Sequence, residues 1–310
     1  MNKMYTLVSD YIRYEIKATY MYYLLLFLVP AITLNYWYNF ENGILNSFRE
    51  EGWYFFLCLL YYSTPLLYAV LVYIFLYKKQ HLFKERKFLF LIFFFPIVIA
   101  FDEAFNFHKQ WVSGIEDEMV RYYAKKTLNH GIRVLTYFIP ILMYYIFCEK
   151  ENKNFYGLAL SKVDLKPYLI MLFGVMMPLI VLASFTESFQ KAYPVFDMSK
   201  VEHLSVSEYW PQVLTFEIVY LFDFTNIELL FRGIMIYTLY QYMGIECVLA
   251  VSTLYCTFHF GKPMAETISS FIGGTILGVF SLRTQSLYGG IMIHAGIALM
   301  MDTASFLQKI

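Results

Sequence analysis

The chain is short of charge. Asp, Glu, Lys and Arg make up 15% of its 310 residues, against roughly 25% in soluble domains. The charge it has leans neither way: 24 basic residues balance 24 acidic ones. That removes the basic excess a nucleic-acid partner requires. Cysteine is scarce as well. Cys58, Cys148, Cys247 and Cys256 form no CxxC and no Cys/His metal spacing. Each lies in or beside an apolar run, so they are expected to be small buried hydrophobes rather than disulfide partners. No internal repeat is visible. No cleavable signal peptide is expected, because the first 17 residues are polar and mixed, with Lys3, Arg13 and Lys17 ahead of the first apolar run.

Apolar side chains fill the space that charge leaves. The sequence is 59% hydrophobic and 21% aromatic, with a mean hydropathy of +0.51. A water-soluble chain of this length could not hide so much apolar surface. The expectation is an all-α, polytopic integral membrane protein. A helix needs about 20 apolar residues to cross the hydrocarbon core. The runs 18–40 and 52–77 carry no charge. The run 88–101 is short and carries Pro96, so it reads as a tilted span or a re-entrant piece. Further spans are expected over 134–148, 167–186, 209–243 (one bent helix or two), 247–261, 267–282 and 286–306, a total of roughly eight to ten transmembrane helices. Residues 1–160 read as N-terminal spans whose residues suggest no chemistry, and 167–310 as the functional core. Loop 78–87 carries five Lys/Arg and loop 149–166 four Lys. Calling both cytoplasmic puts the basic N-terminus inside too, although loop 102–133, also basic, breaks the pattern. Lys outnumbers Arg 17 to 7, which points to an AT-rich genome and a bacterial cytoplasmic membrane.

Ionisable groups inside such spans cost about 2.5–3.5 kcal/mol each on insertion scales, and they mark functional sites. The stretch NIELLFRGIM places Glu228 and Arg232 four apart, on one face of an α-helix, where they can pair. Glu217 precedes Glu228 by eleven residues. That is three helical turns, so Glu217 should line the same face while Asp223 points elsewhere. In YCTFHFGKPMAE, Gly261 and Pro263 end one helix and start the next. His259 then closes the first helix, and Glu266 falls in the first turn of the second, where the helix dipole favours a carboxylate. In GGIMIHAGIALMMD, His294 lies mid-span and Asp302 two turns on, roughly on the same side. Each of these groups has a purely structural reading: a neutralised pair, a dipole partner, an interhelical hydrogen bond. Their concentration in the C-terminal third favours a site. The small-residue run SSFIGGTILG, with Gly274 and Gly278, reads as a close-packing face. His81, His108, His130 and His203 lie in loops or at span edges and read as surface residues.

These motifs resemble a family. Glu228-Leu-Leu-Phe-Arg232-Gly233, an aromatic (Tyr255) four before His259, and then His294 follow the order EExxxR, FxxxH, HxxxN. That is the pattern of the CAAX-protease and bacteriocin-processing (CPBP, or Abi) intramembrane peptidases. The resemblance covers about a third of the chain, 209–306. It implies a glutamic-type endopeptidase acting on a membrane-associated peptide or protein, with membrane lipid as its surroundings and no nucleic acid. Two positions depart. The first glutamate of the pattern falls on Ile227 and the asparagine on Ala298. In the family, that glutamate and the first histidine activate a water, while the second histidine and the asparagine stabilise the oxyanion. Losing one oxyanion donor costs about 10²–10³ in rate, and losing the base costs more unless another carboxylate replaces it.

The resemblance implies a catalytic set of Glu228, Arg232, His259, Glu266 and His294, with Glu217, Tyr255 and Asp302 in support. Either Glu266 or Glu228 would act as base toward a water held by His259. His294 would stabilise the oxyanion, and Arg232 would position Glu228. No cofactor is expected. The alternative is zinc held by Glu228, His259 and His294, a known catalytic ligand set, although HExxH is missing. A competing class is a non-catalytic member whose cavity binds a peptide, lipid or partner. A transporter is a third option, disfavoured because no inverted repeat of broken helices is visible.

Overall fold

The structure is a computed structural model, and it describes residues 2–159, 163–197 and 206–309. It is helical, with no strand among the described residues. The main helices are α1 (Ala18–Tyr38), α2 (Tyr54–Leu76), α3 (Arg86–Ala104), α4 (Glu118–Gly131), α5 (Val206–Glu228), α6 (Ile236–Met243), α7 (Cys247–Thr257), α8 (Met264–Thr284) and α9 (Tyr288–Lys309). Eight described segments are long and apolar enough to cross a membrane, including Glu118–Glu149 and Lys166–Ala183. Large apolar side chains stay exposed on their outer faces, among them Leu26, Val29 and Leu34 on α1 and Phe56 and Leu60 on α2. Such faces need lipid as solvent. The protein is a polytopic helical membrane protein.

Helix α3 is continuous through Pro96, and the candidate span Arg86–Ser113 containing it is long enough to cross. Segment 209–243 is helical throughout but not uniformly α. Helix α5 ends at Glu228, and Leu229–Met235 is wound as a π-helix before α6 resumes. The four-residue pairing of Glu228 with Arg232 assumed unbroken α-helical winding, which stops at Leu229. Gly244, at φ 61°, then breaks the helix before α7.

The chain forms two compact units that interleave along the sequence. Unit one comprises residues 1–104, 152–159 and 229–287. Its central element is α7, buried at every position from Cys247 to Thr257. A helix apolar on all sides belongs in a core. The hydroxyls of Ser252, Thr253 and Thr257 donate back to carbonyls four residues earlier, so none is buried without a bond. Helices α2, α8, α6 and α1 pack around α7.

Unit two comprises residues 105–151, 160–228 and 288–310. Here α5 packs against α4 and α9. An aromatic ladder, Phe216, Tyr220 and Phe224, runs along α5 with ring centroids 5.6 and 5.0 Å apart. Asp223 does turn away from the glutamates, toward His130 at 2.9 Å and Arg133 at 3.0 Å.

Two surface assignments, His108 and His130, and one buried assignment, Cys148, need correction. His108 is buried and bonded to Asn129, and His130 is half-buried against Asp223 and the ring of Tyr220. Cys148 is exposed, while Cys58, Cys247 and Cys256 are buried. His81 is exposed as expected. His203 lies outside the described residues.

Candidate functional site

In unit two the polar groups form a seam between α5 and α9. Glu228, at the end of α5, is fully buried. Its Oε1 lies 2.9 Å from Nδ1 of His294 on α9. The ring of Phe224, one turn earlier on α5, packs on the same imidazole at 4.5 Å between centroids. Gly290, one turn before His294, makes this approach possible, because a Cβ there would come 2.8 Å from Glu228 Oε2. Further along the two helices, the carboxyls of Glu217 and Asp302 face each other. Asp302 also accepts from the backbone N–H of Val195 at 3.0 Å. Glu217 and Glu228 therefore both meet partners on α9, as the eleven-residue spacing implies for one face.

Unit one holds the other candidates. Arg232 is buried within the π-helical stretch, with its guanidinium carbon 3.7 Å from the ring centroid of Tyr255. This is cation–π stacking, in which Arg excels because its charge is planar and weakly hydrated. Its backbone carbonyl accepts from Ser281 on α8 at 2.9 Å. Gly274 on α8 leaves room for both groups, since a Cβ there would lie 3.1 Å from the Tyr255 ring and 3.3 Å from Arg232 Nη2. The small-residue run is thus a close-packing face with a definite task, fitting α8 over the stacked pair.

His259 follows the end of α7, half-buried. Its ring packs on Tyr255 at 4.4 Å, and its Nδ1 lies 2.9 Å from the Tyr255 carbonyl. A carbonyl only accepts, so Nδ1 carries the proton and Nε2 of the neutral ring carries the lone pair. His294 is held at the same ring nitrogen, by a carboxyl that can either accept or donate. Pro263 caps α8, and Glu266 lies half-buried in its first turn. Ile227 and Ala298, where the family pattern has Glu and Asn, are both buried. Within either unit, no three His, Cys, Asp or Glu side chains among the described residues stand together as a ready metal site.

The sequence reading missed the partners of the His259 turn. Residues 35–42, at the end of α1 and just beyond it, reach this turn within unit one. Asn35 donates to the Phe260 carbonyl at 2.9 Å, Tyr36 to the Lys262 carbonyl at 2.6 Å, and Asn42 to the Gly261 carbonyl at 3.1 Å. Glu41 accepts from the Tyr61 hydroxyl at 2.9 Å and lies against Gly261, where a Cβ would come 2.9 Å from its Oε1. Burial pushes its carboxyl up to about 8, Glu103 adds to this, and Tyr61, Arg49 and the Gly261 N–H oppose it. A sign was present in the sequence: an asparagine inside an otherwise uncharged span, followed by the polar loop Phe40-Glu41-Asn42-Gly43.

Together these features define a class, a polytopic membrane protein with buried acid–histidine chemistry in its C-terminal third. Residues 209–300 match the family model described as type II CAAX prenyl endopeptidase Rce1-like, which makes this stretch CAAX-protease-like. The match contains Glu217, Glu228, Arg232, Tyr255, His259, Glu266 and His294, and it ends before Asp302. No curated protein matches the chain, and no solved structure does.

Proposed function

We propose that this protein is an intramembrane endopeptidase of glutamic type, cleaving a membrane-associated peptide or protein near the bilayer. The observation that carries the reading is the buried Glu228–His294 bond inside the stretch that matches an endopeptidase family. As in the family pattern, both histidines serve one reaction. His259, with its lone pair at Nε2, accepts from and orients a water. A carboxylate, Glu266 in this reading, takes a proton from that water as its oxygen adds to the scissile carbonyl. The C–N bond then breaks, and the amine leaves with the proton. Glu228 holds His294 at Nδ1, so that a proton on Nε2 points toward the developing oxyanion. Arg232 holds the Tyr255 ring, and through it the packing of His259. Peptide or membrane-protein substrates and surrounding lipid are the partners.

A second reading has its own support. Ile227 and Ala298 are buried and apolar, and neither can hold a water or donate a hydrogen bond. A non-catalytic protein that binds a peptide, lipid or partner would look like this. The deciding experiment reconstitutes the purified protein in lipid with a panel of membrane-tethered peptides. Cleavage lost in both His259→Ala and His294→Ala supports the peptidase. Stable peptide binding with no cleavage by the wild type supports the binder.

A further inference from the structure

We infer that residues Asn35–Asn42 form a clamp that positions His259, with Glu41 as its central residue; its bearing on catalysis rests on the peptidase reading above. The chain leaves α7 and turns through His259–Pro263 before α8 begins. Carbonyls in such a turn lack the i+4 N–H partners of a helix, although that of His259 also takes the Lys262 N–H at 3.0 Å, and in a membrane protein water is a poor substitute. Four consecutive carbonyls are met by side chains. Thr267 reaches that of His259, Asn35 that of Phe260, Asn42 that of Gly261 and Tyr36 that of Lys262. Three of the four donors come from 35–42, a segment more than two hundred positions away in sequence.

The clamp is cross-braced. Asn35 donates to Phe260 through its amide nitrogen and accepts the Glu41 backbone N–H at 3.1 Å through its amide oxygen. Tyr36 also lies 2.6 Å from the Thr267 hydroxyl. Glu41 fits against a residue with no side chain, since a Cβ on Gly261 would lie 2.9 Å from Glu41 Oε1 and 3.2 Å from Asn42 Oδ1. Glu41 thus contacts both the turn, against Gly261, and α2, through the Tyr61 hydroxyl. His259 sits one position before the three clamped carbonyls. Its Nδ1–H bond to Tyr255 depends on where the turn starts. The clamp fixes that point, and with it which ring nitrogen presents a lone pair.

A purely structural brace would stabilise the protein without selecting a tautomer, so the readout is the tautomer. The full chain, labelled with ¹⁵N-histidine, is placed in lipid nanodiscs and its imidazole nitrogens are recorded by NMR. His259→Ala and His294→Ala variants assign the two resonance sets. In the wild type His259 appears as a single Nδ1–H form. Glu41→Ala should turn it into a mixture of tautomers, while His294, bonded to Glu228 in the other unit, stays unchanged. Glu41→Gln keeps the shape against Gly261 and an acceptor for the Tyr61 hydroxyl, and should restore the single form. Asn42→Ala, which removes an exposed contact, serves if Glu41→Ala does not fold. Its expected result is the same mixture. An unchanged His259 in the variant that folds overturns the inference. So does loss of both histidine signatures together, which would mark a brace for the whole fold. The readout needs no substrate. A wild type that cleaves nothing sinks the peptidase reading and leaves the clamp standing. Where cleavage is measurable, Glu41→Ala should lower kcat by about 10- to 100-fold, the range for a small misplacement of a reacting group, with KM little changed.

Discussion

Nδ1 of His294 lies 2.9 Å from Oε1 of Glu228, and Gly290 is the residue that lets the two helices come close enough for this bond. The bond joins the last residue of α5 to α9, so the orientation of His294 depends on one carboxylate.

Gly290→Ala tests that dependence without touching either partner. Its new Cβ would press on Glu228 Oε2 at 2.8 Å. Overpacking of this kind costs about 1–3 kcal/mol, so the unfolding temperature and any cleavage should both drop. Gly174→Ala is the control in the same unit, because a Cβ there meets nothing within 4 Å. Equal unfolding temperatures for the two variants would show that the close approach is unimportant.

The stack of Arg232 on Tyr255 makes a different demand, for a planar cation rather than for charge alone. Arg232→Lys keeps the charge and loses the plane. It should destabilise by about 1–2 kcal/mol, the value of a desolvated cation–π contact. Tyr255→Phe keeps the ring and should cost much less than Tyr255→Leu. Thermal unfolding of the three variants in one detergent gives the ranking, and a Lys variant as stable as wild type would contradict it.

Glu41 predicts a pH dependence of known sign. Its carboxyl is raised from 4.5 to about 8, chiefly by burial, with Glu103 adding and Tyr61, Arg49 and the Gly261 N–H opposing. The folded state therefore keeps a proton that the unfolded chain has already released. Stability is greatest below about pH 4.5, falls as pH rises to about 8 and is flat above. Glu41→Gln, which carries no titrating proton, should remove this part of the fall. Melting curves across the window check it, and an identical slope in wild type and variant would rule Glu41 out as its source.

Much of the fold could be read from the sequence, because a run of about 20 apolar residues has few other uses. The shared face of Glu217 and Glu228 could be read too, since helical periodicity holds wherever the helix is α, as it is up to Glu228. It could not reveal the π-helical winding at Leu229–Met235. The choice between bonds four and five residues apart is made by tertiary packing, not by local residue preference. His108 and His130 were misjudged for a related reason: position at a span edge says nothing about a partner such as Asn129 or Asp223. The clamp on the His259 turn was hidden most deeply. Asn35 and Phe260 are 225 positions apart, and only the folded chain brings them together.

Zinc is tested directly. The glutamic reading expects purified protein to carry no stoichiometric zinc and chelators to leave cleavage intact. One tightly held zinc per chain, lost in His259→Ala, would favour a metallopeptidase using Glu228, His259 and His294 instead.

The hardest test concerns Ile227 and Glu266 together. The family pattern takes its base from the position of Ile227, and an isoleucine can neither accept a proton nor hold a water. Catalysis then needs a substitute carboxylate. Glu228 is already bonded to His294, and Asp223 to His130 and Arg133. Glu217 and Asp302 face each other. Glu266 is the carboxylate nearest His259 in sequence, seven residues on, half-buried in the first turn of the helix that follows the turn. Glu266→Gln should abolish cleavage while leaving membrane insertion and the unfolding temperature unchanged. A double variant, Glu266→Gln with Ile227→Glu, should recover part of the activity by returning a carboxylate to the position the pattern uses. Both are assayed in reconstituted lipid against membrane-tethered peptides, beside the wild type. Wild-type rates in Glu266→Gln would eliminate Glu266 as the base. A dead double variant beside an active wild type would mean that Ile227 no longer faces the reacting water.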